Sequence, residues 1–221
     1  MLSALKVNRF PYFDLSEIIP DPELGFRSFQ KSEPVRSGDI LPDFSLEKET
    51  GRWQQFFNGT EVHRPVLFHQ LLNKPLVICF YSYHWQQYGI DLLRQLNSIQ
   101  NDITANGASL LIISSEKNKK LEKLVWDNNL SLNFYFDEEK QIAEKFGIYS
   151  EQDPIWNKFS GIDTNVSLLA TYVVSATGQI EYDHIDLDFS KTFPATEIIS
   201  AVKKIGNLQG KIRNIHGAIG R

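Results

Sequence analysis

The stretch Pro75-Leu76-Val77-Ile78-Cys79-Phe80-Tyr81-Ser82-Tyr83-His84-Trp85-Gln86-Gln87-Tyr88-Gly89 decides the fold. It opens as an unbroken β-prone apolar run, breaks into an aromatic and polar loop, and reads as helix from Gln87 onward. A run without alternation predicts a strand buried on both sheet faces, which implies a parallel central strand with helices on each side. A strand that empties through a short loop into a helix N-terminus is where open α/β sheets place their chemistry.

The flanking sequence extends this pattern in both directions. Leu92, Leu96, Ile99 and Ile103 recur at helical spacing, and Asn106-Gly107 closes that helix. Leu110 to Ile113 reads as a second buried strand, and Lys117 to Asn128 as a helix with Leu121, Leu124 and Val125 inward. Leu132 to Phe136 is a short strand, and Glu138 to Phe146 is a helical turn or two ended by Gly147. Residues 150–166 form a long loop carrying Pro154, Trp156 and Gly161. Leu168 to Val174 and Ile180 to His184 make an antiparallel hairpin about Ala176-Thr177-Gly178. Pro194 opens a last helix, buried along Ile198, Ile199, Val202 and Ile205. Upstream, Gly38 to Leu46 is a turn and edge segment, Trp53 to Phe57 a short strand, Asn58-Gly59 a turn, and Pro65 to Leu72 a short helix. Three parts follow: an irregular arm at 1–37, a domain at 38–205 and a tail at 206–221. The arm's aromatics (Phe10, Tyr12, Phe13, Phe26 and Phe29) imply that it packs on the domain. The basic, Gly-spaced tail reads as mobile. Alternating strands and helices, then a hairpin and a closing helix, predict an α/β thioredoxin-like fold: a central mixed sheet flanked by helices.

Composition narrows the function classes. The 221 residues are 42% hydrophobic and 23% charged, with a net charge of -4. No Lys/Arg stripe is present, so nucleic acid is not an expected partner. No apolar run is long enough to cross a bilayer, and the first ten residues hold no signal-peptide core, so a cytoplasmic location is the expectation. Cys79 is the only cysteine, which excludes an intramolecular disulfide, a Cys-x-x-Cys pair and a cysteine-rich zinc site. A free cysteine inside an apolar run reads as a small hydrophobe. The sequence holds no Gly-rich phosphate loop and no Gly-x-Ser-x-Gly elbow, and no cofactor is expected.

Five segments in register resemble the peroxiredoxins of the alkyl-hydroperoxide-reductase and thiol-specific-antioxidant (AhpC/TSA) family, over roughly residues 38 to 205. They are Gly38-Asp39 with Pro42-Asp43-Phe44-Ser45-Leu46, Phe80-Tyr81 followed by Trp85, Ile112-Ile113-Ser114, Phe136-Asp137 with Phe146-Gly147, and the hairpin from Ala170 through Gly178 to Tyr182. The loop length resembles the branch whose motif reads Phe-Tyr-x-x-x-Trp-Cys-Pro-Tyr-Cys. Here Trp85 and Tyr88 are kept. The resemblance implies that the peroxide-reducing cysteine is replaced by Gln86, the resolving cysteine by Gly89 and the intervening proline by Gln87. The family's Pro-Ala-Thr-Phe appears as Leu169-Ala170-Thr171-Tyr172, with a leucine where thioredoxin-like folds carry a cis-proline. A non-proline cis bond costs about 3 kcal/mol, so an ordinary trans bond is expected at Leu169. The arginines often found in this branch near Lys191-Thr192 are missing.

Peroxide reduction needs a thiolate at a helix N-terminus, where the dipole lowers the cysteine pKa. A glutamine amide cannot cycle through sulfenic acid. Two classes of function follow. The first is a non-catalytic redoxin-fold module whose old active-site pocket (Tyr83, His84, Trp85, Gln86, Tyr88, Leu169 and Thr171) binds a small ligand or a protein partner, or is vestigial. The second is an enzyme of different chemistry, with His84 or the Asp186/Asp188 pair as its working groups, or with residual thiol-dependent antioxidant activity. In Asp183-His184-Ile185-Asp186-Leu187-Asp188, alternation puts His184, Asp186 and Asp188 on one face, but a solvated edge strand accounts for the run without a metal. Trp53, Phe56, Phe57 and Trp156 read as core rather than groove. The family resemblance also implies a possible homodimer.

Overall fold

The structure is a computed structural model and describes residues 33–46, 52–63, 71, 73–117, 119–188 and 192–219. Residues 1–32 of the arm, and the short helix expected at 65–72 apart from Leu71, lie outside the described residues. Seven strands form one mixed sheet in the order β2-β1-β5-β4-β3-β6-β7. They are β1 (Trp53–Phe57), β2 (Thr60–Glu61), β3 (Leu76–Tyr81), β4 (Ser109–Ser114), β5 (Asn133–Phe136), β6 (Ala170–Val174) and β7 (Ile180–Ile185). The helices are α1 (Gln86–Ala105), α2 (Lys119–Asp127), α3 (Gln141–Lys145) and α4 (Ala195–Ile219).

All six residues of β3 are buried, as the unbroken apolar run implies. The strand runs parallel to β4 but antiparallel to β6, so the expectation of a parallel strand holds on one side only. The reason is general: burial on both faces needs covering helices, whatever the direction of the neighbouring strand. The apolar stripe of α1 (Leu92, Leu96, Ile99 and Ile103) is buried, and α1 packs against β4 and α4. On α4, Ile198, Val202 and Ile205 are buried. This helix runs on to Ile219, through most of the stretch read as a separate mobile tail. Helix-forming Lys, Leu, Gln, Ile and Arg residues between the glycines outweigh the roughly 1 kcal/mol cost of each helical glycine. No helix among the described residues is long and apolar enough to cross a membrane.

Two anchors lock the N-terminal side of the domain. Gly38 N–H donates to the Ile180 carbonyl at 2.8 Å and Leu41 N–H to Gly178 at 2.6 Å, extending the β6–β7 hairpin. The Asp183 carboxylate accepts Ser37 N–H at 2.7 Å and the Arg36 guanidinium at 2.9 Å. The second anchor is the Phe146-Gly147 corner. Phe146 packs edge-on against Phe80 with centroids 4.9 Å apart, and against Phe44 at 5.7 Å. Its carbonyl accepts Val35 N–H at 3.0 Å.

Candidate functional site

The site is the loop between β3 and α1, and its shape is set by hydrogen bonds that begin where β3 ends. Ser82 caps a single 3₁₀ turn, Tyr83–Trp85, its Oγ accepting His84 N–H at 3.2 Å. The same hydroxyl donates to the Glu116 carboxylate at 2.9 Å. That carboxylate also accepts Tyr83 N–H at 3.2 Å and the Ser115 hydroxyl at 2.5 Å. A residue just beyond β4 therefore stitches the loop to the sheet. Glu116 escaped the sequence reading. Its readable signal is Ser114-Ser115-Glu116 directly after a buried strand, at the strand ends where such sheets carry their loops.

Trp85 turns inward. It is buried, its Nε1–H donates to the Ser167 carbonyl at 2.8 Å, and its ring meets Phe159 edge-on at 5.3 Å. Burying a tryptophan with its N–H satisfied is a strong local anchor, and it pins the loop to the segment ahead of β6. Gln86 follows with φ 49° and ψ -125°, a conformation side-chain-bearing residues rarely adopt. Its side chain is exposed, as are Gln87 and Tyr88. Trp85, at the N-cap of α1, makes no side-chain capping bond, and Gln87 bonds to Asp91 at 2.8 Å.

Two adjoining clefts of about 450 and 610 Å³ flank this loop. His84, Gln86 and Gln87 line both, opposite Gly161 and Ile162. Trp85 and Tyr88 line the smaller, with Lys158 and Phe159 across it, and Tyr83 lines the larger. The structure therefore brings together five of the residues read as a pocket. It does not bring in the other two. Leu169 and Thr171 are buried and line neither cleft: Thr171 lies on β6, an interior strand between β3 and β7, and Leu169 directly precedes that strand. No cis peptide bond occurs among the described residues. The 158–164 loop, which forms the opposite wall, gave no chemical signal in sequence.

Gly89 is the tightest point. A Cβ there would stand 2.8 Å from the Tyr81 ring, 3.2 Å from the Ser82 carbonyl and 3.3 Å from Trp85 Cβ. The Tyr81 ring thus lies where a side chain at position 89 would go.

Cys79 lies on β3 opposite Thr171 and is fully buried. Burial pushes its thiol from 9.0 up to about 12, against a smaller downward pull from the Thr171 hydroxyl. Redox chemistry runs through the thiolate, the form that this burial disfavours. Tyr81 and Tyr172 are also shifted upward, mainly by burial. These three groups hold protons in the folded chain that the unfolded chain releases, so their contribution is complete below pH 9 and is lost as pH rises above it. Urea unfolding should show stability falling from about pH 9 by roughly 1 kcal/mol per pH unit for each group engaged. Cys79→Ala should remove the first part of that slope. A profile flat from pH 8 to 11 would contradict this burial-driven account.

The remaining sequence candidates lie elsewhere. The Asp183 to Asp188 run begins on the edge strand β7, where Asp183 anchors Arg36 and Ser37 and His184 meets the Phe193 ring edge-on at 6.4 Å. Among the described residues, no group of three or more His, Cys, Asp or Glu is placed to hold a metal ion. Trp53 and Phe56 are core, as expected, but Phe57 and Trp156 are exposed.

This geometry, a strand–loop–helix site at the C-terminal end of the interior strand β3 in a thioredoxin-like sheet, is that of the redoxin fold. The chain belongs to the AhpC/TSA family, whose pattern matches residues 37–183. It is similar to peroxiredoxin Bcp of Escherichia coli strain K12, with 25% identity over 158 residues that cover 71% of this chain and 88% of that protein. Its fold is that of peroxidoxin BcpB from Mycobacterium tuberculosis (TM-score 0.53, 16% identity, 77% of this chain and 98% of the other). It is also that of the reduced 2-Cys peroxiredoxin from Plasmodium vivax (TM-score 0.54, 16% identity, 80% and 85%).

Proposed function

We propose that this protein is a redoxin-fold module that does not reduce peroxides by thiol chemistry, and that its cleft around His84, Gln86 and Gln87 holds a small polar ligand or a partner's side chain. The observation that carries this reading is the pairing of Gln86 at the head of α1 with a single thiol, Cys79, buried in the sheet and driven up to about 12. A helix N-terminus stabilises a thiolate only when the thiol sits there. The open cleft supports a binding role, since exposed amides of Gln86 and Gln87 and the His84 ring offer both donors and acceptors.

The test is steady-state peroxide consumption with a dithiol reductant, for the parent protein and for Gln86→Cys. The parent is expected to match the protein-free rate. The variant, with a thiol at the first turn of a 20-residue helix, is expected to consume peroxide well above it. Turnover by the parent that Cys79→Ala abolishes would overturn the reading.

A further inference from the structure

A second cleft, of about 550 Å³, lies between the C-terminal half of α1, the β1–β2 hairpin and the turn leading into β5. Gln100, on its wall, is about 20 Å along α1 from Gln86 at the helical rise. The cleft is therefore separate from the redoxin site. Its volume falls within the range of roughly 300–1,000 Å³ that small-molecule sites occupy.

Its chemistry is unusual for this chain. None of the described lining residues carries a charge, although 23% of the chain does. Asn97, Gln100, Asn101 and Thr104 follow one another at helical spacing, which makes a continuous uncharged stripe along α1. Gln55 on β1 faces Asn133 on β5 as a cross-strand pair. Phe57, two residues beyond Gln55, shares its face and stands exposed at the rim. The amides of Gln55, Gln100, Asn101 and Asn133 make no hydrogen bond with any described residue. Asn97 accepts Ser131 N–H at 2.7 Å through Oδ1, which leaves its NH₂ as a donor. Asn58 and Asn129 also line the cleft, but their left-handed backbones (φ 47° and 51°) account for asparagine there. No turn accounts for the other amides.

We propose that this cleft binds a short neutral saccharide. Each planar amide offers two donors and an acceptor, which matches vicinal hydroxyls that both donate and accept. An exposed aromatic ring gives the C–H face of a pyranose an apolar partner. Among the described lining residues there is no cation to favour a phosphate or carboxylate ligand and no carboxylate to favour a metal ion.

The experiment is a ¹⁵N NMR titration of the full chain, following side-chain amide signals, with maltotriose, cellotriose and triacetylchitotriose as probes and adenosine as a comparison. At least one saccharide is expected to give saturable shifts at Gln100, Asn101 and Asn133. Phe57→Ala should weaken that binding about five- to tenfold, and Gln100→Ala about fivefold. Phe57 is exposed and Gln100 is half-buried on the cleft wall, outside the core, so both variants should fold. The Gln86→Cys variant should bind the saccharide like the parent, which keeps this site independent of the redoxin reading. The proposal is overturned if no saccharide gives saturable shifts, if adenosine alone does, or if binding is unchanged in Phe57→Ala and Gln100→Ala.

Discussion

Gly89→Cys is expected to destabilise the protein by about 2 kcal/mol, a fall in Tm of roughly 4–8 °C for a chain of this size. The sign is the informative part. Gly89 lies in the first turn of α1, and replacing a helical glycine by a side-chain-bearing residue ordinarily stabilises by about 0.5–1 kcal/mol. Here the new Cβ meets the Tyr81 ring at 2.8 Å and the Ser82 carbonyl at 3.2 Å. The ring is held in a packed interior, and the carbonyl belongs to the residue that caps the loop, so neither yields cheaply. Tyr81→Leu in the same background should recover part of the loss. Thermal melts of the two single variants and the double variant measure the coupling, and a Gly89→Cys protein as stable as the parent would show that Tyr81 moves freely. A cysteine at position 89, which the resemblance gives to the resolving residue, is therefore expected to cost stability unless Tyr81 changes with it.

Gly147→Ala is expected to cost more, about 3–4 kcal/mol. Two independent penalties act together. Gly147 has φ 67°, where an added Cβ is strained whatever the space. That Cβ would also run into the backbone of Glu33 and Pro34, which cannot rotate away as a side chain would. The loss falls on the corner that ties residues 33–35 to the Phe44–Phe80–Phe146 cluster. Urea denaturation of the variant, with protection of the Val35 amide followed by hydrogen exchange, measures it. A loss under 1 kcal/mol with Val35 still protected would contradict the close approach.

The architecture was legible because its signals are local and periodic. The apolar run at Leu76 to Tyr81, the α1 stripe, and the turns at Asn58-Gly59 and Asn106-Gly107 each announce an element from a few neighbouring residues. Phe136 was readable as a strand end and Gly147 as a helix stop, while the role of Asp137 between them was not, and the structure supplies the physics. Asp137 accepts Ile142 N–H at 2.9 Å and Ala143 N–H at 3.1 Å at the start of α3, while Gly147 turns where no Cβ fits. The site was half legible. Tyr83 to Tyr88 form one wall because they are contiguous in sequence. Leu169 and Thr171 were placed at the loop by family position alone, and both are buried, Thr171 within β6 and Leu169 just before it. Glu116 and the 158–164 wall were hidden, since they reach the loop only through tertiary folding. The amide-lined cleft was invisible for the same reason. Its residues come from β1, α1 and the approach to β5, and no window of sequence contains them together.

The most direct test of the central claim is a single-turnover one. The parent protein is exposed to stoichiometric hydrogen peroxide at neutral pH without reductant, in the presence of a sulfenic-acid trap, and Cys79 is then read by mass spectrometry. Burial in the sheet, which pushes the thiol up to about 12, disfavours the thiolate, so Cys79 should remain unmodified in the folded chain. Rapid trapping of a Cys79 sulfenic acid in the folded protein would contradict the account and return this chain to the peroxide-reducing redoxins.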